Sequence, residues 1–376
     1  MSTIVHSVRL VDGGRVTEDA WVLFEGGRVR AIGTGASGRP HVDEVVDGGN
    51  GCLTPGFIDI HGHGGAGVGY DEGADAIRMA RDMHRAHGTT RAVVSFVTAS
   101  IDDLMARVRM VADLAEADPS ILGSHLEGPF LDPGHRGAHT ASLLRAPDTE
   151  SVDRLLEAGR GTVRQVTLAP ELPGAEAAIR RFIEAGVAVA VGHTGADQHL
   201  ARRAFDDGAT LLTHAFNAMP GIHHRSPGPV VAALRDERVT LELIADGVHV
   251  DLALIAVAFA AGPARVALVT DAMAAAGAGD GRYVLGGLAV SVADGIARLS
   301  DGGAIAGSTL TQDAALRHVV GAGVPLAAAV AALTSVPARA IGRPDLGRLT
   351  VGSLADAVLL DSDLQVRRVW VGGDPV

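Results

Sequence analysis

The sequence predicts an α/β fold: a (β/α)8 TIM-like barrel with a small β-sandwich built from both termini. Two observations lead there. Between residues 53 and 342, short apolar runs alternate with amphipathic helical stretches, whereas both ends of the chain read as short strands and turns. Strands alternating with helices of this length imply βαβ units and a parallel sheet. A stretch this long fits a closed eight-unit barrel better than an open two-layer sheet. No GxGxxG follows the first strand, so a dinucleotide site in an open sheet has no support.

At the N-terminal end, WVLFEGGRVRAIG reads as a hairpin turning at Gly26-Gly27. At the other end, GRLTVGSLADAVLLDSDLQVRRVWVGG has the same short-strand character. Neither end alone makes a stable sheet with a full hydrophobic face. Residues 1–52 plus 343–376 are therefore assigned to one β-sandwich domain, and 53–342 to a catalytic barrel. Within the barrel, DAIRMARDMHRAHG, SIDDLMARVRMVADLAEA, TESVDRLLEAG, GAEAAIRRFIEAG and DQHLARRAFDDG read as helices.

Composition bounds the function. The chain has 376 residues, 47% hydrophobic and 20% charged, enough for a large core. With 3% aromatics and 49 glycines, that core is built mostly from Ala, Val, Leu and Gly. The net charge of −12 and the absence of any basic run argue against a nucleic-acid partner. An anionic substrate has to be held locally, by a few arginines and histidines. All 32 basic residues are arginine, so lysine chemistry is excluded throughout. The single cysteine, Cys52, excludes an intrachain disulfide and favours a reducing compartment. The N-terminus lacks a secretory pattern, and the longest apolar run, 252–262, is too short to span a bilayer. A soluble cytoplasmic protein with no membrane partner is expected.

The polar residues fall in a pattern. Six apolar runs, read as consecutive strands, each end in a metal-competent or proton-transferring side chain. GFIDI leads to His61 and His63, ILGSHL to Glu127, VAVAVG to His193, ATLLT to His214, VTLELIADGV to His249 and RVALVT to Asp271. In a parallel barrel all of these ends lie on one face, where active sites form. In a strand, residues i and i+2 point to the same side, so His61 and His63 are placed to share one ion. Each residue alone has a plainer reading: a chance HxH, a hydrogen-bonded histidine, a glutamate at a Gly-Pro turn, or an aspartate capping a helix. Six plain explanations at one topological position, in order, are a poorer account than one metal site. Imidazole and carboxylate donors without sulfur suit Zn, Fe, Mn or Co. The remaining histidines, including His125, are assigned no role.

These motifs resemble the amidohydrolase superfamily and, within it, the N-acetylglucosamine-6-phosphate deacetylase family. PGFIDIHGHGG, HLEGPF, RGAH, GHTGAD, THAFNAMP, ADGVHV, VTDAM and AGSTLT occur in that family's order, and the resemblance covers essentially the whole chain. It implies one or two divalent ions, zinc foremost, with Glu127, His193 and His214 holding one and His61 and His63 a second. A carbamylated lysine cannot bridge ions here, which leaves Glu127 as the bridge. The implied reaction is hydrolysis of N-acetylglucosamine 6-phosphate to glucosamine 6-phosphate and acetate, in amino-sugar catabolism and cell-wall recycling.

The resemblance also assigns roles. Asp271 is the catalytic acid–base residue, and His139 bonds the acetyl carbonyl or a sugar hydroxyl. Asn217, Ala218, Arg225 and His249 bind the substrate and its phosphate, with Arg and His drawn from a neighbouring subunit in a homodimer. One departure is that Ser226 stands where an acidic residue is expected after Arg225. The loop 130–145 is read either as a mobile lid or as an ordered βα connection. Two rival functions are another metal-dependent cyclic-amide or acyl-amide hydrolase, and an inert sugar-phosphate-binding regulator.

Overall fold

The computed structural model describes residues 2–376. Eight parallel strands form the barrel: Phe57–Asp59, Thr89–Val97, Ile121–Glu127, Val163–Leu168, Ala188–Val191, Leu211–Leu212, Thr240–Ile244 and Val266–Val269. Each pairs in parallel with its sequence neighbour. The first and last strands meet just beyond their C-terminal ends. There the Asp271 amide donates to the His61 carbonyl at 2.8 Å, and the His63 amide to the Ala272 carbonyl at 2.7 Å. The strands are buried on both faces, which explains their near-continuous apolar runs. Gly123 sits at a register shift of the third strand with φ +134°, and a Cβ there would lie 2.0 Å from the Thr162 carbonyl oxygen. Only glycine fits that approach.

All five helices read from the sequence are present, over Ala74–Ala86, Ile101–Ala117, Thr149–Gly159, Ala175–Glu184 and Gln198–Asp206. The second shows why. Ser100 caps it by accepting from the Asp103 amide, and Ile101, Leu104, Val108 and Val111 bury one face on the barrel. Burying each such aliphatic side chain is worth about 1.5–3 kcal/mol.

Both termini join in one eight-stranded sheet. Ala357–Leu360 pairs antiparallel with Cys52–Pro55, which pairs with Ser2–Asp12. The expected sandwich is thus a single hydrogen-bonded sheet, with register shifts along Ser2–Asp12. It wraps a core of its own that includes Val22, Phe24, Leu53 and Trp370, with Phe24 and Trp370 edge to face at 5.8 Å. Its other side, through Val11, Cys52, Val358 and Leu360, joins the barrel core. The Gly26-Gly27 hairpin forms as read, both glycines having positive φ.

One element was not read from the sequence. Gly281–Leu285, Leu288–Ala293 and Ile296–Leu299 form a three-stranded antiparallel meander after the eighth barrel strand. Its Leu285, Val290, Val292 and Ala297 pack on Val97, Met273, Ala274 and Ala275 at the barrel mouth. Among the described residues, no helix is long and apolar enough to cross a membrane.

Candidate metal centre

The six chemistry-bearing runs do supply barrel strands, but they are not consecutive. Thr89–Val97 and Val163–Leu168 lie between them and carry no ligand at their ends. These two strands end in Val97 and Leu168, so they contribute wall rather than donors. His249 also differs from expectation: its strand stops at Ile244, which leaves the histidine in the following loop. The strand before His61 and His63 stops at Asp59, so their convergence is a property of the turn beyond it. His193, His214 and Asp271 adopt φ of 47°, 25° and 46°. Such left-handed conformations are uncommon for side-chain-bearing residues and collect where a site holds them in place.

The side chains converge on Glu127. One carboxylate oxygen, Oε1, lies 3.1 Å from His193 Nε2, 3.1 Å from His214 Nε2 and 3.4 Å from His61 Nε2. The other, Oε2, lies 3.1 Å from His63 Nε2 and 3.6 Å from His139 Nε2. The His193 and His214 Nε2 atoms are 3.0 Å apart, and those of His61 and His63 are 3.2 Å apart. Asp271 Oδ1 completes the second group, 3.3 Å from His63 Nε2 and 3.7 Å from His61 Nε2. All seven of these residues are buried.

Hydrogen bonds on the far side of the rings assign the protons. His193 Nδ1 donates to the His135 carbonyl at 2.9 Å, and His61 Nδ1 donates to Glu242 Oε2 at 3.0 Å. Neutral imidazole carries one N–H, so each of these Nε2 atoms turns a lone pair inward, toward a carboxylate and another ring nitrogen. Such lone pairs repel unless a cation lies among them. The charges agree. Burial opposes a charged His63, but hydrogen bonds to Asp271 and Glu127 outweigh it and lift its pKa to about 9. Burial likewise opposes charge on His61, yet Glu127 holds its pKa well above the usual imidazole range. The pocket therefore demands positive charge, and a divalent ion on nitrogen and oxygen donors satisfies that demand. Glu127, with one oxygen toward each group, is placed to serve both.

His139 is built differently. The Thr98 backbone N–H donates to its Nδ1 at 3.2 Å, so its proton sits on Nε2 and faces the cavity. In this tautomer it offers the cavity a hydrogen-bond donor, although its ring nitrogen also lies close enough to Glu127 and His193 to form a metal-donor group with them. Burial would raise the Asp271 carboxyl, but the His63 hydrogen bond and the His61 and His63 charges hold it at about 2. Burial lowers the His193 pKa and favours its neutral form.

A cavity of about 430 Å³ opens over these groups, lined by Asn217, Ala218, His249 and Asp271, with Val97, Met219, Leu285 and Ile305 as apolar wall. His249 Nδ1 bonds Asp246 Oδ2 at 2.6 Å, which offsets the burial penalty and raises its pKa. Arg225 does not line this cavity; its loop, 221–226, is exposed. A larger cavity of about 720 Å³ lies at the opposite end of the barrel, but it holds no cluster of metal donors, and its Arg91 and Arg343 are paired with Asp356 and Asp345. Besides the His135 and His139 bonds above, the loop 130–145 is tied by Asp132 N to the His193 carbonyl, Arg145 N to the Pro129 carbonyl and Thr140 Oγ1 to the Gly286 carbonyl of the meander.

Sequence reasoning missed a buried polar layer beneath the centre. Glu242 contacts His61 and Gln165, and His125 bonds Ser95 and Thr167 while its ring lies 4.6 Å from that of His61. Asp59 accepts from Thr270 Oγ1 at 2.6 Å, and burial raises its pKa to about 6. The one available signal was a glutamate in the middle of an apolar strand, TLELI.

Comparison with known proteins places this geometry. The Amidohydrolase family profile matches residues 52–376. A curated N-acetylgalactosamine-6-phosphate deacetylase of Escherichia coli O157:H7 is 40% identical, with 99% of each chain covered. An N-acetylglucosamine-6-phosphate deacetylase of Vibrio furnissii is 35% identical over 97% of this chain and 92% of its own. Among solved structures, an aspartate-to-alanine variant of the N-acetyl-D-glucosamine-6-phosphate deacetylase of Mycobacterium smegmatis, in complex with N-acetyl-D-glucosamine-6-phosphate, superposes with TM-score 0.95. It is 42% identical, with 100% of this chain and 98% of that one covered.

Proposed function

The chain belongs to the amidohydrolase family, and from that premise we propose that it hydrolyses the N-acetyl group of N-acetylglucosamine 6-phosphate, giving glucosamine 6-phosphate and acetate. The observation that carries the reading is the Glu127-centred cluster of four imidazoles with Asp271 beside it, in a chain covered end to end by relatives named as deacetylases of this class. The E. coli relative acts by name on the galacto sugar, so the N-acetylgalactosamine phosphate is the first competitor substrate to measure.

Glu127, His193 and His214 would hold one divalent ion, and His61 and His63 with Glu127 would hold a second, zinc being the first choice for both. A bound ion of this kind supplies Lewis acidity, which makes water a competent nucleophile near neutral pH and polarises an amide carbonyl. The rest falls to the chain's own side chains. The Asp271 carboxylate, ionised at neutral pH, takes the proton from the attacking water and returns it to the leaving nitrogen. Acid–base assistance of this kind is typically worth about 10²–10⁴-fold. His139 donates its Nε2–H to the acetyl carbonyl and so fixes the carbon under attack. Val97 and Leu285 wall the cavity and limit access of bulk water.

Asn217, the Ala218 backbone and His249 hold the sugar and its phosphate. Arg225 is exposed and does not line its own cavity, so it serves a second copy in a homodimer, where its planar fork suits a phosphate. Ile222, Val248 and Val257, exposed on neighbouring segments, give that second copy an apolar face. Residues 1–52 with 343–376 form the supporting unit and 53–342 the catalytic one, in a cytoplasmic enzyme whose single cysteine is buried and free.

The test is substrate comparison. N-Acetylglucosamine 6-phosphate is expected to exceed free N-acetylglucosamine in kcat/KM by a large factor. Equal values would remove the phosphate from the reading, and a stronger preference for the galacto sugar would reassign the hexose.

A further inference from the structure

Resting on the metal reading above, we propose that Glu242 is a positioning residue that sets the affinity of the ion held by His61 and His63. Glu242 is fully buried in the seventh barrel strand. Three donors reach its carboxylate. His61 Nδ1 lies 3.0 Å from Oε2, the His214 backbone N–H lies 3.4 Å from the same oxygen, and Gln165 Nε2 lies 2.6 Å from Oε1. A buried carboxylate needs its oxygens hydrogen-bonded, and the only one of these donors that is also a metal-competent ring is His61.

His61 donates its Nδ1–H to Glu242, which leaves the Nε2 lone pair facing the His63 Nε2 at 3.2 Å, where an ion would receive it. The carboxylate, the ring and the ion then form one relay, which fixes the tautomer and raises the basicity of the ligand.

The four ligating imidazoles are not equal in this respect. His193 leans on a main-chain carbonyl, and the Nδ1 atoms of His63 and His214 are buried with no protein partner. Only His61 is backed by a carboxylate. Gln165 adds directionality because it presents N–H to Glu242. An amide in place of the carboxylate cannot accept from both His61 and Gln165 through its two ends, since one end is itself a donor.

The experiment uses the full chain, stripped with a chelator and titrated with zinc against a chromophoric competitor. In Glu242→Gln, one of two ions is expected to weaken by about 10–100-fold, while the other changes less than about threefold. Cobalt substitution gives a second readout, with the visible spectrum of one equivalent altered. Gln165→Met keeps the carboxylate and is expected to shift the same ion in the same direction by less, and it carries the test should Glu242→Gln fail to fold. In a His61→Asn background, Glu242→Gln is expected to add little. Two ions of unchanged affinity in Glu242→Gln, or a single wild-type ion that the variant leaves alone, would overturn the proposal. A full-sized loss in the His61→Asn background would overturn the route through His61. Wild-type protein that takes up no ion overturns the metal reading itself.

Discussion

The Nε2 atoms of His193 and His214 lie 3.0 Å apart, and each is 3.1 Å from the same oxygen of Glu127. His193 turns a lone pair into that triangle, toward the Glu127 oxygen, and a cation placed there would draw all three atoms as donors. Replacing His214 with Asn is expected to cost this site at least about a hundredfold in ion affinity. Metal analysis after dialysis against weak chelator reads the loss directly, and retention of a full complement would show that His214 is not a ligand.

Asp271 lies beside the His61–His63 pair, with Oδ1 3.3 Å from His63. In Asp271→Asn, bound metal should stay near the wild-type level while turnover falls at least about a hundredfold. Near-normal kcat in a metal-replete variant removes Asp271 from proton transfer.

Arg225 is exposed and outside its own chain's cavity. If a second copy receives it, Arg225→Ala raises KM for the sugar phosphate by roughly 10–100-fold, the value of a charge-assisted hydrogen bond, with little change in kcat. The signature is selective, because free N-acetylglucosamine should be turned over as by wild type. An equal loss on both substrates would show that the arginine acts on folding or assembly instead.

Far from the site, Asp313 ties the loop after the first barrel helix to the helix Gln312–Gly321. It accepts from Thr311 Oγ1 at 2.6 Å, from Arg317 Nη1 at 2.9 Å and from His87 Nδ1 at 3.1 Å. The Asp313 hydrogen bond lifts His87 above the ordinary 6.5. For Asp313, burial pushes the carboxyl up, but these same three bonds pull it well below the ordinary 3.8. A raised histidine stabilises the fold below the unfolded pKa of 6.5, and this contribution is lost as pH rises through the folded value. A depressed carboxyl stabilises above 3.8, and its contribution is lost as pH falls. The tether is therefore strongest between about pH 4 and 6.5. Because His87 is 40% exposed, solvent screening limits its worth to under about 1 kcal/mol. His87→Gln should lower the thermal midpoint near pH 5.5 and do little at pH 9. An equal effect at both values contradicts the ion pair.

Much of the site was legible because ligands at strand ends are local features of sequence: an apolar run, then a His, Glu or Asp. The turn beyond Asp59 that swings His61 and His63 together was not, since it depends on bonds to Asp271 and Ala272 more than two hundred residues away. Glu242 was hidden for a similar reason. Its partners, His61 and Gln165, lie on strands that the barrel brings across its interior. The meander at 281–299 has alternating exposure and no long apolar run, so its pattern is weak beside the barrel strands. His139 is legible as a substrate-bonding residue only through the family resemblance. That it offers the cavity a donor follows from the Thr98 amide on its Nδ1, a contact between two loops.

The most direct test of the central claim is acetate release from N-acetylglucosamine 6-phosphate by chelator-stripped protein, titrated with zinc and then with iron or manganese. The account predicts no release without metal, and activity that rises and saturates near one or two equivalents. No release at any loading, with the sugar phosphate still bound, would contradict it and leave a binding protein on the same barrel.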